Sequence, residues 1–360
     1  MTDRPGQGRV RSGSPARIRA RARFAEALSP GIALVALAAL AALAAALVAT
    51  LVVTRTTGSA SPPPSHRPRI SGAVYRGDFP DPSVLVVDGR YYAYATQSGG
   101  FHIQVITSTD LAKWSAPKEA LPVLPVWSKP GDTWAPAVAP DPSGGFEMFY
   151  AARDAELGIQ CIGRAVSRSP LGPFVDTSRQ PFLCQVALGG SIDPYVMADG
   201  GTDYLVWKSD GANGAPQQVW SERLSDGDDA LVGVPSLLLS ASAPWENGVV
   251  EGPAMLPTAN GLFLFFSGNR WSTSSYSIGV VGCDSPSGPC ANGLSPQAVS
   301  TASGVSGPGG PSFFTADDGQ ELMAYAAWSG VPGSPSGKRE LYLDAVDTSG
   351  SFPTLVEFDP

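Results

Sequence analysis

Sorted into apolar and polar positions, the chain shows short apolar, β-branched and aromatic runs separated by turn residues, and one arrangement recurs five times. Asp81-Pro82 leads through Ser83-Val84-Leu85-Val86-Val87 to an Asp88-Gly89 turn and the run Arg90-Tyr91-Tyr92-Ala93-Tyr94-Ala95. This predicts two strands joined by a tight turn. Ala135-Pro136 leads to Ser143-Gly144-Gly145 and Phe146-Glu147-Met148-Phe149-Tyr150, and Asp193-Pro194 leads to Asp199-Gly200-Gly201 and Asp203-Tyr204-Leu205-Val206-Trp207. Gly252-Pro253 leads to Asn260-Gly261 and Leu262-Phe263-Leu264-Phe265-Phe266, and Gly310-Pro311 leads to Asp318-Gly319 and Glu321-Leu322-Met323-Ala324-Tyr325.

The prolines at 82, 136, 194, 253 and 311 are 54, 58, 59 and 58 residues apart. A period of this size, each unit built from hairpins, predicts a radial repeat, and five units fit an all-β, five-bladed β-propeller. A β-sandwich with similar hairpins is the alternative. Outer runs such as His102–Ile106, Gln217–Trp220, Tyr276–Val281 and Leu341–Ala345 predict the third and fourth strands of each blade. Aromatic side chains would pack between blades and leave no long sheet edge open.

The first seventy residues have a different pattern. Residues 1–30 are Arg-rich with Gly, Ser and Pro, and predict a disordered basic segment. Residues 31–53 are apolar or small except for Thr50, long enough for a transmembrane signal-anchor whose basic flank stays in the cytoplasm. A cleaved signal peptide is the competing reading, and either one exports the rest of the chain. Residues 54–70 form a Pro/Ser linker, and 71–360 the propeller.

Charge sharpens the division. The whole chain carries 24 Lys and Arg against 32 Asp and Glu, a net of -8. Ten of the Arg but only Asp3 and Glu26 lie before residue 71, so the propeller is strongly acidic. That argues against nucleic acid or anionic polymers as partners and suits a neutral substrate; the chain is expected to be a monomer. The four cysteines fall in two local pairs, Cys161 with Cys184 and Cys283 with Cys290, which behind an export segment predict two disulfides. Neither pair has zinc-ligand spacing, and His66 and His102 are the only histidines.

In a propeller the first strand of each blade lines the axis, so the residues before the five prolines should ring one pocket. They are Asp81, Ala135, Asp193, Glu251 with Gly252, and Gly310. Three carboxylates meeting at an axis need a reason, because Asp and Glu are usually solvated. Two carboxyls across a sugar-sized gap are the working unit of glycoside hydrolysis, and a third beside the acid raises its pKa. Taken singly, Asp81 and Asp193 could each cap a turn or strand entry.

Phe79-Pro80-Asp81-Pro82-Ser83, Trp134-Ala135-Pro136, Ser191-Ile192-Asp193-Pro194 and Val250-Glu251-Gly252-Pro253 resemble the blade-start motifs of glycoside hydrolase family 43. Ser267-Gly268-Asn269, Tyr276-Ser277-Ile278-Gly279 and the Cys283–Cys290 loop add to the resemblance, which spans residues 74–357. It implies a five-bladed propeller that hydrolyses arabinose- or xylose-containing glycans with inversion. It further implies Asp81 as general base, Glu251 as general acid, and Asp193 as the residue that tunes and orients the acid. Family members carry a His in the last blade that helps hold a calcium or a water cluster, and Gly310 takes its place here, so no cofactor or metal is expected.

Trp134 is expected to stack on a sugar face rather than join the core, and Arg270, Trp271 and Phe79 to border the cleft, with an ordinary structural place as the alternative. His102, Asp88, Asp141, Asp199 and Asp318 have structural readings only. Two other functions remain open. One is a fructan-acting propeller hydrolase, whose usual Asn-Asp-Pro entry is absent at Phe79-Pro80-Asp81. The other is a non-catalytic carbohydrate-binding propeller at the cell surface.

Overall fold

The computed structural model describes residues 72–291, 297–358 and 360. Among these residues no helix is long and apolar enough to cross a membrane. The anchor expected at 31–53 and its linker lie outside the described residues.

Among the described residues nineteen strands form five antiparallel sheets, each running outward from an inner first strand. Blade 1 holds β1 (Ser83–Val87), β2 (Arg90–Ala95), β3 (Gln104–Ser108) and β4 (Lys118–Glu119). Blade 2 holds β5 (Trp134–Pro140), β6 (Phe146–Arg153) and β7 (Gln160–Ser167). In blade 3 the strands are β8 (Ser191–Asp199), β9 (Thr202–Ser209), β10 (Gln218–Leu224) and β11 (Leu231–Ser240). Blade 4 comprises β12 (Val250–Thr258), β13 (Gly261–Gly268), β14 (Ser277–Cys283) and β15 (Gln297–Val299). Blade 5 comprises β16 (Ser306–Thr315), β17 (Glu321–Ser329), β18 (Lys338–Asp347) and β19 (Thr354–Glu357). The five-unit period is thus a five-bladed propeller.

The second blade departs from the four-strand expectation. Its outer edge is instead covered by the segment after β7, which bridges at Val166–Val175 and Ile162–Leu183 and is fastened by Cys161–Cys184. Cys283–Cys290 is also closed, as the spacing predicted.

The apolar runs are continuous because both faces of a blade are buried. On β13, Leu264 and Phe266, with Met255 of β12, pack toward Val206 and Val219 of blade 3, while Phe263 and Phe265 pack toward Met323 and Tyr325 of blade 5. Strand β2 does the same: Tyr91, Ala93 and Ala95 meet Phe314, Leu322 and Leu341, whereas Tyr94 meets Met148 and Tyr150. Period-2 alternation therefore sorts residues between two apolar interfaces rather than between core and water. The ring closes through the segment before β1. Val74 donates to the Leu341 carbonyl (2.9 Å), Leu341 donates back to Tyr75 (3.1 Å), and Phe79 donates to Arg339 (2.7 Å). The first and last blades are joined by backbone hydrogen bonds, and the inner strands β1, β5, β8, β12 and β16 pack around the axis.

Candidate active site

Each blade begins with the same backbone irregularity. Asp81, Ala135, Asp193, Gly252 and Gly310 have φ of 52°, 44°, 53°, 54° and 66°, and every one is followed by proline. Blades 2 to 5 break register across these positions, as at Trp134/Ala137 and Ile192/Tyr195. Such a bulge re-aims a side chain that strand alternation would otherwise send between blades. A non-glycine residue at positive φ costs on the order of 1–3 kcal/mol and persists only where its surroundings hold it there. Asp81, Ala135 and Asp193 all bear it. The strain is spent at the mouth of one open cavity of about 1150 Å³, lined by Asp81, Asp193 and Glu251 together.

Asp81 is held from three sides. Thr96 donates to its Oδ2 at 2.8 Å, Arg339 donates to its Oδ1 at 2.7 Å, and the Gly310 backbone abuts its Cα. The Thr96 oxygen also accepts from the Ala135 amide at 2.8 Å, tying blade 1 to the strained start of blade 2. Arg339 is buried, and its guanidinium lies 5.6 Å from the centre of the Tyr276 ring. Burial alone would lower its pKa, but Asp81 and Tyr276 more than offset this, so it stays charged.

Asp193 and Glu251 form the second half. Asp193 accepts from the Gly252 amide at 2.8 Å, so the carboxyl of blade 3 grips the residue next to Glu251 in blade 4. Lys208 reaches across the same interface and donates to Glu251 Oε2 at 2.7 Å. Burial pushes the Asp193 pKa up to about 7; Lys208 opposes this, while Glu251 and Asp81 add to it. Burial also raises Asp210, at the cavity wall, against the pull of Lys208. The Tyr276 hydroxyl stays protonated, raised first by burial and then by Glu251. The arrangement can keep a proton on Asp193 near neutral pH beside two carboxyls held by cations, Asp81 by Arg339 and Glu251 by Lys208.

Trp134, Arg270 and Trp271 line the cavity as expected from their positions. Trp271 is half exposed and stacks on Trp328 at 5.9 Å, and the Trp328 indole nitrogen donates to the Trp271 carbonyl. Phe79 is a correction. It is fully enclosed against Tyr75, Ala93 and Leu341, in the apolar cluster between the first and last blades, whereas Pro80 and Asp81 after it line the cavity.

Residue patterns missed Lys208, Arg339 and Thr96. The one available signal was Lys208, a charge ending the apolar run Tyr204-Leu205-Val206-Trp207. Arg339, between Lys338 and Glu340, reads as an ordinary solvated strand end. Gly310 offers no side-chain ligand, and among the described residues no group of three or more His, Cys, Asp or Glu is placed to hold a metal.

The family model for Glycosyl hydrolases family 43 matches residues 70–351. The Beta-D-galactofuranosidase xynD of Aspergillus niger is 26% identical over 233 residues, covering 60% of this chain and 64% of that protein. An extracellular endo-alpha-(1->5)-L-arabinanase of Thermotoga petrophila is 30% identical over 109 residues, covering 26% of this chain and 22% of the relative. The chain thus spans less than two thirds of the length of either relative. Among solved structures, a thermostable family-43 glycoside hydrolase superposes with TM-score 0.69 at 28% identity, covering 80% of this chain and 96% of that one. An endo-1,4-beta-xylanase from Bacteroides thetaiotaomicron gives TM-score 0.68 at 26% identity, covering 79% and 96%.

Proposed function

The chain belongs to glycosyl hydrolases family 43, and on that premise we propose that it hydrolyses glycosidic bonds of arabinose- or xylose-containing glycans with inversion. The observation that carries this reading is the convergence of Asp81, Asp193 and Glu251, from three blades, on one open cavity.

Asp81 acts as general base. Arg339 and Thr96 fix its carboxylate, which draws a proton from the water that attacks the anomeric carbon. Glu251 acts as general acid and protonates the departing glycosidic oxygen from the opposite side of the sugar. Asp193 holds the backbone beside Glu251 and sets a second carboxyl next to the donor, a like-charged neighbour of the kind that disfavours ionisation. Trp134 offers a face for the sugar ring, and Trp271 and Arg270 border the outer cleft.

One relative is named as a galactofuranosidase and the other as an arabinanase. That makes arabinofuranosides the first substrates to try, with xylosides second. Two disulfides support an exported protein. The apolar stretch 31–53 behind a basic flank supports a membrane anchor, with the propeller beginning at residue 71.

The test is turnover of aryl α-L-arabinofuranosides, aryl β-D-xylosides, aryl β-D-galactofuranosides and arabinan by the wild type, Asp81→Ala and Glu251→Ala. NMR follows the anomer first released. Wild-type turnover with inversion, lost in both variants, is expected. Undiminished turnover in either variant would remove the assigned role, and sugar binding without product from the wild type would favour a binding propeller.

A further inference from the structure

We propose that Lys208 is a positioning residue that fixes the carboxyl of Glu251 and, through its charge, sets the upper pH limit of activity. The inference rests on the reading of Glu251 as the proton donor.

Lys208 is the last member of a row on β9 facing blade 4. Tyr204 and Val206 precede it at two-residue steps, and both pack into the interface that contains Val250, Leu264 and Phe266. Leu205 and Trp207, between them, face blade 2 instead. An apolar side chain at 208 would continue the interface, and packing alone gives no reason for a charge there. Yet Lys208 is only 3% exposed and ends 2.7 Å from Glu251 Oε2. A buried ammonium is costly unless it is paired. Glu251 and Asp193 supply the pairing: burial pulls the Lys208 pKa down, and these two carboxylates more than restore it.

The contact does two things. It holds the long Glu251 side chain in one rotamer, with the Lys208 ammonium on one carboxyl oxygen. It also sets a positive charge in contact with the proposed donor, and a cation so placed favours the ionised form of a carboxyl. The groups coupled to Glu251 from neighbouring elements are Asp193 from β8, Lys208 and Asp210 from β9 and its end, Tyr276 before β14, and Arg339 from β18, while Asp81 lines the same cavity. Lys208 alone makes a direct ion pair with Glu251 among the described residues. Because the donor must be protonated to act, a fixed positive charge beside it lowers the pH at which activity is lost.

The experiment measures kcat/KM against pH for the full-length wild type, Lys208→Met and Lys208→Arg on an aryl arabinofuranoside. Circular dichroism and a thermal unfolding curve check the fold of each. In K208M the alkaline limb should move up by about one to three pH units, the range for removing an opposite charge in contact, while the acidic limb stays in place. Its kcat should fall roughly 10- to 100-fold on a substrate with a poor leaving group, and much less on one with an activated leaving group that needs no proton. K208R, which keeps the charge, should retain the wild-type limb. Should K208M fail to fold, Lys208→Gln carries the same expectation. An alkaline limb unmoved in a folded, uncharged variant overturns the role of Lys208. A wild type without turnover overturns the hydrolase reading itself.

Discussion

Gly310 stands so close to Asp81 that a β-carbon on it would lie 2.9 Å from the Asp81 Oδ1 and 3.0 Å from its Cα, with the Gly310 φ at 66°. The glycines of the last-blade start therefore have a packing reason. Gly309 accommodates the Tyr276 ring, which a β-carbon would meet at 1.9 Å, and Gly310 accommodates the proposed base. In this chain a histidine at 310 has no room unless Asp81 moves. Gly310→Ala is expected to destabilise the protein by roughly 1–3 kcal/mol and to lower kcat more than it raises KM. Urea denaturation with steady-state kinetics checks this, and wild-type kcat in G310A would contradict it.

Thr96 links two strained positions with one hydroxyl, donating to Asp81 and accepting from the Ala135 amide. Thr96→Val keeps the shape and removes both bonds. Leaving a buried amide unpaired costs about 1–3 kcal/mol, and a looser base should reduce kcat about 10-fold, within the usual reach of general-base effects. If T96V alters stability alone, the hydroxyl has no part in holding the base.

The Asp193 pKa of about 7, raised first by burial, bears on the pH profile. Asp193 keeps its proton beside the donor up to about pH 7, and kcat/KM is expected to fall as pH rises through that value. Asp193→Asn removes a negative neighbour, makes Glu251 easier to ionise, and should move the alkaline limb down. K208M moves it the other way. A profile flat to about pH 9 in the wild type would exclude this assignment of the donor, since a carboxyl cannot stay protonated that far without a far larger shift.

Asp344 on β18 faces Glu357 on β19 in direct register, and its side chain is fully buried. Burial first, then Glu357, pushes its pKa up to about 8. The native state thus keeps a proton that the unfolded chain releases near its ordinary value of 3.8. Stability falls as pH rises between those two values and levels off above the higher one. Asp344→Asn should match the wild type near pH 4 and exceed it by roughly 2–4 kcal/mol at pH 8. Urea denaturation at the two pH values decides it, and a gap that does not widen with pH counts against the buried proton.

Trp271 lies at the outer wall, stacked on Trp328 and half exposed. Trp271→Ala should raise KM for arabinan or longer oligosaccharides several-fold, in line with the loss of about 1 kcal/mol from one aromatic contact. Its kcat/KM on aryl monosaccharides should stay near wild type. Equal loss on both substrate types would place Trp271 at the reacting sugar.

The repeat was legible because its parts are local. A proline after a kinked residue, an Asp-Gly or Gly-Gly turn and an aromatic strand each arise from backbone preferences within a dozen residues, and their spacing gave the blade count and the ring of Asp81, Asp193 and Glu251. The cysteine pairs were local as well. Phe79 was misread because a motif gives position along the chain and not the side on which a residue is enclosed. The missing fourth strand of blade 2 was hidden for a similar reason: two bridges and a disulfide replace a run that has no pattern of its own.

What the amino-acid order could determine, then, was how many blades there are and which carboxyls stand at their entrances. Which cation meets which carboxyl was decided only by the closed ring. Arg339 reaches Asp81 across 258 positions and Lys208 reaches Glu251 across 43. No local preference encodes either contact, because each exists only once neighbouring blades have packed and excluded the water that would otherwise solvate those charges.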